Sequence, residues 1–231
     1  MSPTFRPRAF IFDLDGTIVD NMALHAEAFA RFAARHGLPP LTAADRARLD
    51  GRRNSEIFPL LFGRDVPREE WLAYEEEKEA LYRELSRGRL RPLTGLVELL
   101  GRARQQGIAV GLATSAPADN VAHTLHEAGL SAWFPMVVRG DQVSRGKPAP
   151  DVFLAAAEAL QTPAEGCLAF EDAPIGVTAA RAAGMRVVAL TTSFAAEFFR
   201  AAPDPPDGIC ADFQAFLTTD GAWLAGSSIG A

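Results

Sequence analysis

The sequence predicts an α/β fold: a doubly wound, Rossmann-like parallel sheet with a small all-helical domain inserted after its first strand. Short apolar runs without polar alternation recur along the chain, as in strands that are covered on both faces. Helical patterns separate these runs, and crossovers of that length are right-handed and join parallel strands.

The elements follow one another in βα order. The first predicted strand is residues 9–12. Further apolar runs at 108–113, 167–170 and 187–190 predict three more strands. Helical patterns occupy residues near 95–106, 118–128, 151–160 and 174–183, and glycines stand where several of these helices should end. Residues 203–221 predict one edge strand and a terminal helix.

Residues 21–90 show helical periodicity and no convincing strand. We therefore divide the chain into a core of residues 1–20 and 91–231 and a helical cap of residues 21–90. The chain crosses between them near residues 19–21 and 88–92, where we expect hinges that let the cap close over the site.

Composition excludes several classes of protein. The 231 residues include 23 Lys or Arg and 29 Asp or Glu, a net charge of −6, which disfavours nucleic acid as a partner. Apolar segments are too short to cross a bilayer, and we expect no secretory leader because the first apolar run turns acidic at Asp13. Cys167 and Cys210 cannot build a disulfide framework or a cysteine zinc site, and we expect Cys167 to be buried. A cytoplasmic monomer is the expectation.

Polar residues directly follow several predicted strands, and another lies in a loop before a helix. In an open parallel sheet ligands bind at the carboxyl ends of the strands, so these side chains should share one rim. The residues are Asp13, Asp15, Thr114, Ser115, Glu171 and Asp172 after strands, and Lys147 in the loop.

Four carboxylates in one crevice would repel one another and raise their own pKa values. A hard divalent cation such as Mg²⁺ relieves that repulsion by binding carboxylate oxygens while keeping sites for water and phosphate. Lys147 supplies a second compensating charge. The pattern therefore predicts a metal site that handles an anionic substrate.

These motifs resemble those of the haloacid dehalogenase-like (HAD) phosphohydrolase superfamily. The order is Asp-Leu-Asp-Gly-Thr at 13–17, Thr-Ser at 114–115, Gly-Lys-Pro at 146–148 and Glu-Asp at 171–172. The resemblance spans about residues 8–192. It is closest to the subgroup that contains β-phosphoglucomutase and sugar-phosphate phosphatases, whose small helical cap residues 21–90 would match.

The resemblance implies catalytic roles. Asp13 would attack phosphorus and form an aspartyl-phosphate, and Asp15 would protonate the leaving oxygen and later deprotonate water. Thr114, or alternatively Ser115, would hydrogen-bond a phosphoryl oxygen. Lys147 would pair with Asp13 and the phosphate.

The resemblance also implies a Mg²⁺ site. Asp13, the backbone carbonyl of Asp15, and Asp172 would hold the ion, with Glu171 nearby or acting through water. Gly16 would permit the tight turn that follows the first strand.

The cap carries weaker signals. In the mutase a glycine-led cap loop carries an arginine that grips a distal phosphate, and here Asn54 stands at that position, which weakens the mutase interpretation. Arg52 and Arg53, directly before Asn54, leave phosphate capture open. His25 and Lys78 match cap positions that help the mutase handle its substrate. The alternatives are a helix-surface histidine and a lysine on a solvated, charged helix face.

The favoured function is a Mg²⁺-dependent phosphatase acting on a small phosphorylated metabolite, a sugar phosphate by the resemblance. The alternative is a phosphosugar mutase that uses the same aspartyl-phosphate. A 2-haloacid dehalogenase would lack Asp15, and a module that only binds phosphate would not need a general acid and base.

Overall fold

A six-stranded sheet forms the centre of the computed structural model, which describes residues 5–219. The strand order is β3-β2-β1-β4-β5-β6, and all five pairings are parallel. The strands are β1 (Ala9–Phe12), β2 (Ala109–Thr114), β3 (Val137–Arg139), β4 (Cys167–Glu171), β5 (Arg186–Leu190) and β6 (Gly208–Cys210). The predicted doubly wound parallel sheet is confirmed.

The central strand β1 is buried on both faces, which explains its uninterrupted apolar run. Phe10 and Phe12 pack into one hydrophobic cluster, whereas Ala9 and Ile11 pack into the cluster on the opposite side of the sheet. Phe12 also stacks on Phe170 of β4, with ring centroids 4.8 Å apart. This packing fixes the strand whose end carries Asp13.

Residues 21–90, all of which the structure describes, form helices and no strand. The helices are α1 (Met22–Arg35), α2 (Ala43–Leu49), α3 (Asn54–Phe62) and α4 (Arg68–Ser86). Thr42 is the N-cap of α2, and its hydroxyl accepts a hydrogen bond from the Asp45 amide at 3.2 Å. A β-bridge joins Val19 to Pro92, so the two crossings between this insert and the sheet lie side by side.

The remaining α-helices cover the two faces of the sheet. They are α5 (Leu96–Gln105), α6 (Ala118–Glu127), α7 (Asp151–Ala159), α8 (Pro174–Ala182), α9 (Ala196–Arg200) and α10 (Phe213–Thr219). The four helices predicted between residues 95 and 183 are confirmed. Within residues 5–219, no helix combines the length and the apolar character that a membrane crossing requires.

Two short elements escaped the sequence analysis. Strand β3 has three residues and helix α9 has five, too few to produce a recognisable hydrophobic period. The edge strand and terminal helix predicted for 203–221 are β6 and α10, although residues 220 and 221 lie outside the described part of the chain, as do residues 1–4 at the start. Cys167 is fully buried in β4, as expected.

Candidate active site

The sheet order brings three chemically important strand ends together. Strand β1 lies between β2 and β4, so the residues that follow these strands become neighbours at one edge. Asp13 follows β1, Thr114 ends β2, and Glu171 ends β4. This is the point at which the strand order reverses, where open α/β sheets bind ligands.

Lys147 forms the electrostatic centre of this edge. Its side chain is 1% exposed, and its ammonium donates to Asp13 Oδ1 at 2.5 Å and to Glu171 Oε1 at 2.6 Å. Burial alone would lower the pKa of Lys147, but the two carboxylates outweigh it and raise that pKa. The amine therefore stays charged and holds two strand ends together.

Glu171 is anchored on its other side by backbone. Its Oε2 accepts hydrogen bonds from the amides of Asp172 at 2.9 Å and Ala173 at 3.0 Å. Gly176 of α8 lies against the same carboxylate, and a Cβ there would overlap it. Both oxygens of Glu171 therefore accept hydrogen bonds, one from Lys147 and the other from the backbone at the start of α8. This makes Glu171 less available as a metal ligand than its neighbour Asp172.

Asp13, Glu171 and Asp172 form an acidic cluster whose oxygens lie within 4.8 Å of one another. Burial raises the pKa of Asp13 to about 7, with Glu171 adding to the rise and Lys147 opposing it. Burial, Glu171 and Asp13 likewise raise the pKa of Asp172 well above its usual value. One lysine does not compensate this crowding.

Two hydroxyls that the sequence analysis missed orient Asp172. Thr17 Oγ1 donates to Asp172 Oδ1 at 3.3 Å, and Ser193 Oγ donates to Asp172 Oδ2. Thr192 Oγ1 donates a hydrogen bond to the backbone carbonyl of Gly16. Thr192 and Ser193 follow strand β5, so the rule that pointed to the other strand ends would also have found them.

Asp15 lies apart from the acidic cluster and faces the helical insert. Its Oδ1 accepts from Asn21 Nδ2 at 2.6 Å and lies 3.4 Å from His25 Nε2. Burial would raise the pKa of Asp15, but His25 and Asn21 outweigh it and lower that pKa. The two aspartates of the first motif therefore have opposite electrostatic environments, and the Asp15 side chain is not part of the acidic cluster.

Gly16 makes the close approach between the first motif and the acidic pair. Its φ is +78°, and a Cβ at this position would overlap the Asp172 carboxylate. Its amide donates to Asn21 Oδ1 at 3.0 Å. The glycine is needed both for the turn and for the space that Asp172 occupies.

Thr114 and Ser115 lie at the mouth of the site in different settings. Thr114 is 2% exposed, and its hydroxyl oxygen accepts from the Ala116 amide at 3.0 Å while its proton is left for another acceptor. Ser115 instead donates to the carbonyl of Gly51 in the insert at 2.7 Å. Thr114 is thus the better placed of the two to contact a phosphoryl oxygen.

His25 and Lys78 are both buried, so the surface interpretations of these two residues are wrong. The His25 ring stacks on Tyr82, with ring centroids 3.8 Å apart. Lys78 is 2% exposed, and its ammonium donates to His25 Nδ1 at 3.0 Å and to Glu79 Oε1 at 3.0 Å. A donor at Nδ1 leaves the proton of the neutral ring on Nε2, directed at Asp15.

Asn54 and Arg52 contact the insert itself. Asn54 is buried and donates to Glu79 Oε1 at 2.8 Å, whereas Arg52 Nε donates to the carbonyl of Arg48 at 2.9 Å. Arg53, between them, reaches the core and donates to the carbonyl of Gly140 at 3.2 Å.

One cavity connects these residues. Asp13, Asp172 and Thr114 line its floor, and His25, Lys78, Arg52 and Asn54 line its upper wall. Its volume is about 80 Å³. Small-molecule sites usually have about 300 Å³ or more. The insert is therefore closed over the strand ends.

The fold and the site together define a class of protein. It has a Rossmann-like α/β fold, with a carboxylate–lysine centre at the carboxyl edge of its parallel sheet and a helical insert over that centre.

The chain belongs to the haloacid dehalogenase-like hydrolases, whose family model matches residues 10–190. A phosphorylated carbohydrates phosphatase of Thermotoga maritima is 34% identical over 181 residues, covering 77% of this chain and 82% of the relative. A beta-phosphoglucomutase of Bacillus subtilis is 31% identical over 190 residues, covering 78% and 82%. A crystal structure of a hydrolase from Pseudomonas syringae has a TM-score of 0.81 at 28% identity, covering 92% and 97%. The chain is a phosphatase of this family's type.

Proposed function

We propose that the protein is a Mg²⁺-dependent phosphomonoesterase that removes phosphate from a small sugar or polyol phosphate through an aspartyl-phosphate on Asp13. One observation carries this proposal. Asp13 lies against Lys147 and the acidic pair, while Asp15 lies apart from that cluster beside His25. Two carboxylates in opposite environments suit a nucleophile and a general acid–base.

The donor set fits a hard divalent cation. Three carboxylates converge within 4.8 Å, and burial together with the neighbouring carboxylates raises the pKa values of two of them, Asp13 and Asp172. Asp13 and Asp172 would hold the ion with the backbone carbonyl of Asp15, and Glu171 would lie beside it or act through water. When bound, Mg²⁺ shields the phosphoryl charge from the attacking carboxylate.

The residues of the chain supply the remaining chemistry in two displacements. An Asp13 oxygen attacks phosphorus, the ester P–O bond breaks, and Asp15 gives its proton to the departing alkoxide. Water then attacks the phosphorus of the aspartyl-phosphate, Asp15 takes the proton, and the bond to Asp13 breaks. Lys147 and Thr114 neutralise and orient the phosphoryl oxygens.

The lowered pKa of Asp15 suits the second displacement, in which it acts as a base. The first displacement needs it protonated. An approaching phosphate dianion raises the pKa of a neighbouring carboxyl, so substrate binding favours the acid form. His25 Nε2, 3.4 Å from Asp15 Oδ1, lies where it would stabilise the Asp15 carboxylate that remains after the proton is given to the leaving group.

The cap must open to admit a sugar phosphate, because the cavity of about 80 Å³ is smaller than such a ligand. We propose that residues 21–90 move as a unit about the paired crossings at Val19 and Pro92. Closure then excludes water that would compete with the ordered attack. The monomeric state and the cytoplasmic location stay predictions.

A phosphate-release screen tests the function and separates it from the mutase alternative. We expect the purified protein with Mg²⁺ to release inorganic phosphate from hexose or hexitol 6-phosphates without any bisphosphate activator. A mutase would instead convert hexose 1-phosphate to hexose 6-phosphate and need the bisphosphate. No release from any sugar or polyol phosphate in the panel would refute the proposal.

Mg²⁺ should stabilise the protein more at pH 8 than at pH 5. Without the ion, the pKa of Asp13 rises from 3.8 to about 7 on folding, so the folded state loses stability as pH rises through that interval. Cation binding requires the ionised carboxylates and reverses the loss. Thermal denaturation with Mg²⁺ or with a chelator, at both pH values, measures the difference. Equal shifts at pH 5 and pH 8 would contradict this account.

A further inference from the structure

The cap cations that line the cavity are largely neutralised by acids of the cap itself. Within residues 21–90, all of which are described, Arg46, Arg52 and Lys78 reach the cavity wall. Arg46 Nη2 pairs with Asp50 Oδ1 at 2.6 Å, and Lys78 Nζ pairs with Glu79 Oε1 at 3.0 Å. Arg52 Nη1 lies 3.9 Å from Glu56 Oε2, and its Nε donates to the backbone carbonyl of Arg48. The cap wall therefore presents little net positive charge to a ligand bound at the strand ends.

Lys78 has no hydrogen left for a ligand. Its ammonium donates to both oxygens of Glu79, at 3.0 and 3.1 Å, and to His25 Nδ1 at 3.0 Å. It also lies over the ring of Phe29, 4.3 Å from the centroid. An ammonium has three N–H groups, and these contacts use them all. Lys78 therefore orients His25 and does not itself contact substrate in this closed arrangement.

Glu79 is held in place from both the cap and the core. Asn54 donates to its Oε1 at 2.8 Å and Asn120 of α6 donates to its Oε2 at 2.6 Å. The side chain is buried, and although burial raises its pKa, Lys78 and His25 outweigh that effect and lower it. Glu79 remains ionised and stays beside Lys78.

We propose that Glu79 is a specificity-determining residue, and that its carboxylate disfavours the binding of a second anionic group at the cap end of the site. Its carboxylate accepts hydrogen bonds from the Lys78 ammonium and from the Asn54 side-chain amide, so these two donors are not available to a second phosphate. The site then favours monophosphate esters of uncharged polyols over sugar bisphosphates and phosphorylated acids. This inference rests on the proposed phosphatase function and narrows its substrate class.

The first test compares hexitol 6-phosphate with hexose 1,6-bisphosphate. We expect the wild-type protein to show the higher kcat/KM with the monophosphate. In Glu79→Gln, which keeps the shape and removes the charge, the ratio of the two values should shift toward the bisphosphate by about tenfold or more, since an opposed like charge costs at least that. Glu84→Gln, an exposed change on the same helix, should leave the ratio unchanged.

The second test observes Lys78 directly and needs no turnover. The chain has two lysines, Lys78 and Lys147. Protein labelled with ¹⁵N-lysine therefore gives two side-chain signals, which Lys78→Met assigns. Inorganic phosphate with Mg²⁺ should shift the Lys147 signal alone in the wild type, and hexose 1,6-bisphosphate should move the Lys78 signal only in Glu79→Gln. A Lys78 signal that moves with the bisphosphate in the wild type would overturn the proposal.

The outcomes separate the two levels of inference. A wild type that releases phosphate from neither ester refutes the phosphatase function. A wild type that hydrolyses both and prefers the bisphosphate refutes only the role of Glu79. The comparison of the two esters uses the wild-type protein, so it tests the role of Glu79 even if Glu79→Gln fails to fold. Circular dichroism would reveal whether the variant folds.

Discussion

Asp13→Asn should lower the turnover of an aryl phosphate or a sugar phosphate by about 10³-fold or more, because the nucleophilic oxygen is lost. The fold should survive. Asn keeps an oxygen that accepts from Lys147, and the change removes one of three crowded carboxylates. We therefore expect the thermal midpoint to stay at the wild-type value or to rise.

Rates of phosphate release and thermal denaturation measure the two effects together. Asp65→Asn, an exposed substitution in the loop before α4, serves as the control and should change neither. Acid-quenched wild-type protein should carry phosphate on the peptide that contains Asp13, detectable by mass spectrometry. Wild-type turnover in Asp13→Asn would exclude this residue as the nucleophile.

Lys147→Met should produce the largest loss of stability, about 3–5 kcal/mol in the free energy of unfolding at pH 8, since it leaves buried carboxylates without their counter-charge. The loss should be smaller at pH 5. Lys147 opposes the rise in the pKa of Asp13, so without it that pKa lies further above the value in the unfolded chain and the penalty grows as pH rises.

Chemical denaturation at both pH values measures this loss. Arg145→Met, two residues away and largely exposed, should leave the midpoint unchanged. Phosphatase activity should fall in Lys147→Met and not in the control. If Lys147→Met matched the wild type in stability at pH 8, the electrostatic account of this centre would be wrong.

The strand ends were predictable because one topological rule places them. Strands buried on both faces read as apolar runs, and parallel strands end at one edge, so Asp13, Thr114 and Asp172 had to converge. Lys147 was placed at the same edge because its loop directly precedes a helix, and the resemblance added its pairing with Asp13. Its contacts with Asp13 and Glu171 agree with that assignment.

The contacts of the cap were not predictable in the same way. Lys78 and Glu79 lie in a run of charges that normally marks a solvated helix face, yet both are buried. Their partners, His25, Asn54 and Asn120, come from three other segments of the chain. Only the packing of the helical insert on the core brings these segments together, and helical periodicity does not encode that packing.

The burial of both lysine side chains has a practical consequence for handling the protein. Lys78 and Lys147 are the two lysines of the chain, and both are buried. Acylating dyes and amine cross-linkers therefore find no accessible lysine side chain while the cap is closed. Acylation of Lys78 must await a local opening. The rate at which Lys78 is acylated therefore reports how often the cap opens, and this rate can be measured without any substrate.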